Sequence, residues 1–121
     1  MNKDLIFISE LKVDAIIGIY DWERENTQPL IFDIEMETDI KKSASSDSID
    51  DTVCYKTVSD EIIALTLQNK FELVESLAED ICQSILKNHT GVSAIKLTVS
   101  KPNAVEQTKT VGITIFRGRK G

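Results

Sequence analysis

Along residues 28–40, QPLIFDIEMETDI, apolar and polar side chains alternate. Leu30, Phe32, Ile34, Met36, Thr38 and Ile40 share one face, while Asp33, Glu35, Glu37 and Asp39 follow Ile31 on the other. A period of two predicts a strand with one buried face. Residues 5–17, LIFISELKVDAII, are rich in Ile, Val, Leu and Phe and predict an earlier strand, bent near Ser9–Lys12. The two strands are close in sequence, so an antiparallel pair is the simplest arrangement. Residues 41–53, KKSASSDSIDDTV, predict a connection with room for a short helical turn.

The period then changes. Val58, Ile62 and Leu65 recur at helical spacing within residues 55–69. Residues 73–88 carry a stronger stripe of Leu73, Val74, Leu77, Ala78, Ile81, Cys82, Ile85 and Leu86, which predicts an amphipathic helix ending before Gly91. Alternation returns in residues 94–100, AIKLTVS, and in residues 111–116, VGITIF, with KPNAVEQTKT between them. The order is β-β-α-α-β-β. It predicts a two-layer α+β domain, a four-stranded antiparallel sheet with two helices on one face. Such a sheet leaves two edges and one face uncovered. The acidic face of the second strand suits water, but the edges call for a partner, so assembly between subunits is expected.

Length adds that 121 residues suit one domain, 1–121. With 41% apolar and 28% charged residues, the usage is that of a soluble globular protein. No run reaches the roughly 20 apolar residues of a membrane helix. The segment MNKDLIFISE has acidic residues around a short apolar run and no small-residue cleavage site, so no signal peptide and no membrane partner are expected. Cys54 and Cys82 form neither a disulfide framework nor a metal spacing, and a reducing cytoplasm is the expected location. A net charge of −6 argues against nonspecific nucleic-acid binding, which needs Lys and Arg to displace counterions. It weighs only lightly against a highly anionic substrate, since local fields override net charge.

One connection is too richly furnished for a turn. IGIYDWERE, residues 17–25, places the only tryptophan, an aspartate and two glutamates just after Gly18, where the chain leaves its first strand. Taken with DDTVCY before the first helix, ELVESLAE opening the second and SKPNA after the third strand, it completes a set of four motifs. In this order and at these separations, along essentially the whole chain, the set resembles the dihydroneopterin aldolases of folate synthesis.

That resemblance implies the tunnelling fold. The sheets of four subunits would join into one closed barrel with the helices outside, and two such rings would stack into a homo-octamer. It implies an enzyme that cleaves 7,8-dihydroneopterin by a retro-aldol reaction to 6-hydroxymethyl-7,8-dihydropterin and glycolaldehyde, with C2′ epimerisation as a side reaction. The substrate's own ring C=N bond takes up the electrons, so no metal, no other cofactor and no lysine Schiff base is expected.

The resemblance also implies roles. Lys101 would be the acid/base, with Pro102 restricting the backbone around it. Glu23 would contact the substrate's hydroxylated tail or an ordered water. Tyr55, from a neighbouring subunit, would lie on the pterin and assist proton transfer, and Thr52, Val53 and Cys54 would line the same pocket. Val74 and Glu75 would grip the pterin edge, the carboxylate accepting paired N–H donors and a free helix-start amide meeting the ring carbonyl. Each has a plainer reading. Glu75 suits a helix start on charge alone, Lys101 could be a solvated strand end, Tyr55 could simply pack, and Cys54 reads more readily as a packed thiol than as a nucleophile. Trp22 and Tyr20 either shield the pocket or pack beneath it. Asp21 and Glu25 read as solvated charges, and His89 as a surface residue.

Two competing readings follow from the same residues. One is a dihydroneopterin triphosphate 2′-epimerase, whose substrate would want a basic cradle; Arg117, Arg119 and Lys120 form a basic tail that the sequence does not place relative to the pocket, and YDWE and SKPNA resemble the aldolase more. The other is a non-catalytic pterin-binding or assembling protein on the same fold.

Overall fold

The computed structural model describes residues 4–119. Four strands form one antiparallel sheet in the order β1-β2-β3-β4: β1 Asp4–Ala15, β2 Gln28–Thr38, β3 Ala94–Lys101 and β4 Val111–Gly118. Two long helices, α3 Tyr55–Gln68 and α4 Val74–Asn88, cover one face. Two short helices lie in the connections, α1 Asp21–Glu25 and α2 Lys41–Ser46, and a 3-10 turn spans Ile49–Asp51.

The alternation of β2 sets the core. Leu30, Phe32, Ile34, Met36 and Thr38 are all buried under the helices. Val58 and Ile62 of α3, and Leu77, Ala78, Ile81, Cys82 and Ile85 of α4, meet them. Each large apolar side chain so buried contributes roughly 1.5–3 kcal/mol relative to exposure. In this setting burial pushes the Cys82 thiol up to about 12, as an inert core thiol. Ile40 departs from the expected pattern. The strand ends at Thr38, and Ile40 is partly exposed at the start of α2.

The expected bend in β1 is a bulge. Ile8 pairs with Ile34 but Leu11 pairs with Phe32, so β1 carries one extra residue there. Glu10 takes a positive φ of 55°, and the Asp33 carboxylate accepts the Glu10 amide at 2.9 Å. The extra residue switches the helix-facing positions from Ile6 and Ile8 to Leu11, Val13 and Ala15. Without it, half of the strand would turn its apolar side chains the wrong way.

β1 and β4 are both sheet edges, and they carry exposed apolar side chains on the uncovered face. Phe7 and Phe116 are each 67% exposed. Between them on that face lie Glu35 and Lys96, in register across the sheet.

Candidate active site

The furnished connection is built around a buried carboxylate. Ile17 is still in the core, and Gly18 then turns the chain with φ +124°. Tyr20 leads into the five-residue helix α1, and Glu23 in its first turn folds back so that its Oε1 accepts the Tyr20 amide at 3.2 Å. That contact alone would be a capping device. The remaining contacts are not. Glu23 is only 5% exposed, and its Oε2 receives Lys101 Nζ at 2.7 Å and Gln28 Nε2 at 3.1 Å. Gln28 also donates to the Ile17 carbonyl at 3.1 Å, which fixes the orientation of its amide.

Burial is the largest single influence on Glu23 and works to raise its pKa. The hydrogen bonds from Lys101, Gln28 and the Tyr20 amide, with the lysine's charge, together outweigh it and hold the carboxyl below its ordinary value. Glu23 is therefore an anion at neutral pH, locked to an ammonium at the last residue of β3. The pair can pass a proton to a group placed beside it, or orient a hydroxyl or a water.

Val74 and Glu75 open α4. Leu73 caps that helix without a side-chain hydrogen bond, leaving early amides free of an intrahelical partner. Glu75 is exposed and has no side-chain partner among the described residues. The α3–α4 connection lies against the Glu23 loop, since Arg24 donates to the carbonyls of Lys70 at 2.7 Å and Phe71 at 3.2 Å. Glu23, Lys101 and the start of α4 thus lie at one end of the sheet.

Thr52, Val53, Cys54 and Tyr55 lie at the other end. They line a cleft of about 400 Å³ with Leu5, Phe7 and Ile49, between the start of α3 and the edge strand β1. Tyr55 is 65% exposed. Cys54 is partly exposed rather than packed, and hydrogen bonds from Thr57 hold its thiol below the ordinary value. The two groups are well apart. Lys12 pairs with Ile31 and Ile31 with Ser100, so Lys101 lies level with Val13, whereas Tyr55 borders Leu5 and Phe7. Counted along β2, where there is no bulge, five to seven residues separate these levels (Leu30 from Glu35–Glu37), roughly 17–23 Å at about 3.3 Å per residue.

The sequence profile of the dihydroneopterin aldolase family matches residues 6–116. The chain belongs to the dihydroneopterin aldolase family. Dihydroneopterin aldolase from Haemophilus influenzae is 39% identical over 115 residues, covering 95% of this chain and 97% of that protein. The Escherichia coli aldolase is 36% identical over 115 residues, covering 95% and 93%. A crystal structure of the E. coli dihydroneopterin aldolase in complex with neopterin superposes with a TM-score of 0.91, covering 95% of this chain and 99% of that one. The E. coli dihydroneopterin triphosphate 2′-epimerase is also related, at 28% identity and 92% coverage of each chain. The activity here is the aldolase one, a lyase step of folate synthesis that cleaves dihydroneopterin.

Two residues that hold the Glu23 loop in place, Gln28 and Arg24, are not among the expected site residues. Gln28 shares the even-numbered parity of Leu30 and Phe32, so a polar residue on the apolar face of β2 was the signal that could have found it. No periodicity marks Arg24. Two further expectations change. His89 is half-buried, its Nε2 2.8 Å from Glu61 Oε1 across α3 and α4, so it is an interhelix contact and not a surface residue. Tyr20 and Trp22 are both exposed, so neither packs beneath the Glu23 loop within the chain, while Asp21 and Glu25 are solvated as expected.

Gly18 serves twice. A Cβ built there would stand 2.2–2.4 Å from the Glu23 carboxyl atoms, and the positive φ would strain it as well. Gly18→Ala is expected to expel Glu23 from its seat. Turnover should fall at least about tenfold while a folded chain persists, with backbone strain alone costing of order 1–3 kcal/mol. Steady-state turnover with a thermal melt on the same sample checks it.

Proposed function

We propose that residues 1–121 form one aldolase domain whose active site is divided between two copies of the chain. Glu23, Lys101, Val74 and Glu75 come from one copy, and Thr52, Val53, Cys54 and Tyr55 from its neighbour. The observation that carries this reading is the separation of the two groups along the sheet, roughly 17–23 Å at strand rise. No single chain can close both on one pterin. The unpaired edges β1 and β4 supply the means, because pairing one copy's β1 with the next copy's β4 would continue the sheet and remove its edges. Repeated around a ring, this gives a tetrameric barrel, and stacking two rings gives an octamer.

In the reaction, Glu75 accepts the paired N–H donors of the pterin edge and a free amide at the start of α4 meets its carbonyl. The neighbour's Tyr55 covers the ring. Glu23 and Lys101 act as one acid/base pair: through a water, the Glu23 anion takes the proton from the 2′-hydroxyl, while Lys101 carries the positive charge beside it and supplies the proton that returns to the ring side. The C1′–C2′ bond breaks, glycolaldehyde leaves, and the electron pair moves into the ring C=N bond. Protonation at C1′ then gives 6-hydroxymethyl-7,8-dihydropterin. Recombination before glycolaldehyde escapes inverts C2′, which accounts for an epimerase side activity. Nothing in this sequence needs a metal, a cofactor or a Schiff base. The enzyme works in the cytoplasm, in keeping with its composition and with the fact that none of its described helices is long and apolar enough to cross a membrane.

The test is complementation. Lys101→Ala and Tyr55→Ala chains, each of low activity alone, are unfolded together and co-assembled. Random pairing should restore about a quarter of the wild-type sites. Mixed rings that assemble yet release no glycolaldehyde would overturn the divided site.

A further inference from the structure

We infer that Arg24 is a positioning residue that holds the ring-gripping start of α4 in register with the Glu23–Lys101 pair. The inference rests on the site proposed above. Glu23 and Glu75 belong to different segments of the chain, and their own contacts do not join those segments. Glu23 is seated by Lys101, Gln28 and the Tyr20 amide, and Glu75 rides on α4. Neither set of contacts spans the two segments. Arg24 does. Its Nη1 donates to the Gly18 carbonyl at 3.0 Å and to the Phe71 carbonyl at 3.2 Å, and its Nη2 donates to the Lys70 carbonyl at 2.7 Å.

Both ends of this tie matter. Gly18 packs its Cα side against the Glu23 carboxylate, so a guanidinium on the Gly18 carbonyl steadies the wall behind the buried anion. Lys70 and Phe71 lie in the short connection that leads into Val74 and Glu75, and the Phe71 side chain packs against the core. A planar fork meets three carbonyls at once. A lysine ammonium on a flexible stem cannot reproduce that geometry. Arg24 forms no ion pair among the described residues, so its charge is spent on backbone oxygens.

A retro-aldol cleavage is sensitive to this distance. The ring is held at one end and the proton leaves at the other, and a misplacement of about 1 Å can cost around a hundredfold in rate. Loosening the tie should leave each segment able to do its own task. The ring would still be gripped, but its tail would no longer meet the lysine.

The experiment uses the assembled enzyme carrying Arg24→Lys, and separately Arg24→Met. Neopterin is titrated calorimetrically to give affinity and the number of intact sites. Cleavage of dihydroneopterin is then expressed per titrated site. The expected result is a loss of roughly tenfold or more in turnover per site for both variants, with neopterin affinity within about threefold of wild type. Unchanged turnover per site in both variants overturns the inference. So does a parallel fall in affinity and turnover, or a loss that only follows the number of sites, because Arg24 then serves binding or folding. Glu75→Ala is titrated alongside. Unchanged neopterin affinity in that variant removes Glu75 as the grip, and with it the site reading, whatever the Arg24 variants do.

Discussion

Replacing Lys101 with alanine is expected to lower turnover at least about a hundredfold, the low end for removal of an acid/base group. The argument begins with burial. Lys101 Nζ lies 2.7 Å from a carboxylate that is 5% exposed, and it supplies both a hydrogen bond and a charge to that anion. Without the lysine, burial still opposes ionisation while the strongest opposing influence is gone, so the Glu23 carboxyl should shift upward. Residual activity that depends on the Glu23 anion should then lose its acid limb at a higher pH than in the wild type. Stability should fall as well, since removing one partner of a buried pair typically costs about 3–5 kcal/mol. The second variant separates the two effects. Lys101→Met combined with Glu23→Gln leaves no uncompensated charge, so much of the stability should return while turnover stays low. If turnover returned with stability, the pair would be only a structural strut.

Glu75→Ala should behave in the opposite way, with a large loss of binding and little loss of stability. Glu75 is exposed and has no side-chain partner within the described chain, so its removal disturbs only a favourable charge at a helix start, worth about 0.3–1 kcal/mol. Two charge-assisted hydrogen bonds to a pterin edge contribute roughly 1.5–3 kcal/mol each. Their joint loss would weaken affinity by roughly two to four orders of magnitude. A calorimetric titration of the variant should show no measurable heat of pterin binding, and an unchanged affinity would refute the assignment.

The sheet and the two long helices could be read from the chain because each buries one face. Leu30 through Thr38 keep strict parity, and Leu77, Ala78, Ile81 and Ile85 keep a helical stripe. The short helix α1 could not be read in this way. Five residues are too few to show a period, and its one buried side chain is a glutamate, which a hydrophobicity pattern assigns to solvent. The partners of Glu23 fare differently. Lys101 stands out through the SKPNA motif, while Gln28 is visible only as a polar residue in an apolar phase. Arg24 acts through backbone oxygens of a segment 46–47 positions away, and carbonyls leave no trace in side-chain composition. His89 looked solvated because its partner, Glu61, lies 28 positions earlier on another helix.

The extra residue in β1 means that no one alternating template describes that strand. A comparison with another chain that omits this one-residue offset and phases β1 backwards from Leu11 exchanges Ile6 and Ile8 with Leu5 and Phe7. That small editorial shift would relabel the side chains beneath the helices as those offered to the outside. Any grafting or redesign of the edge must therefore treat the segments before and after Ser9–Glu10 as separately phased.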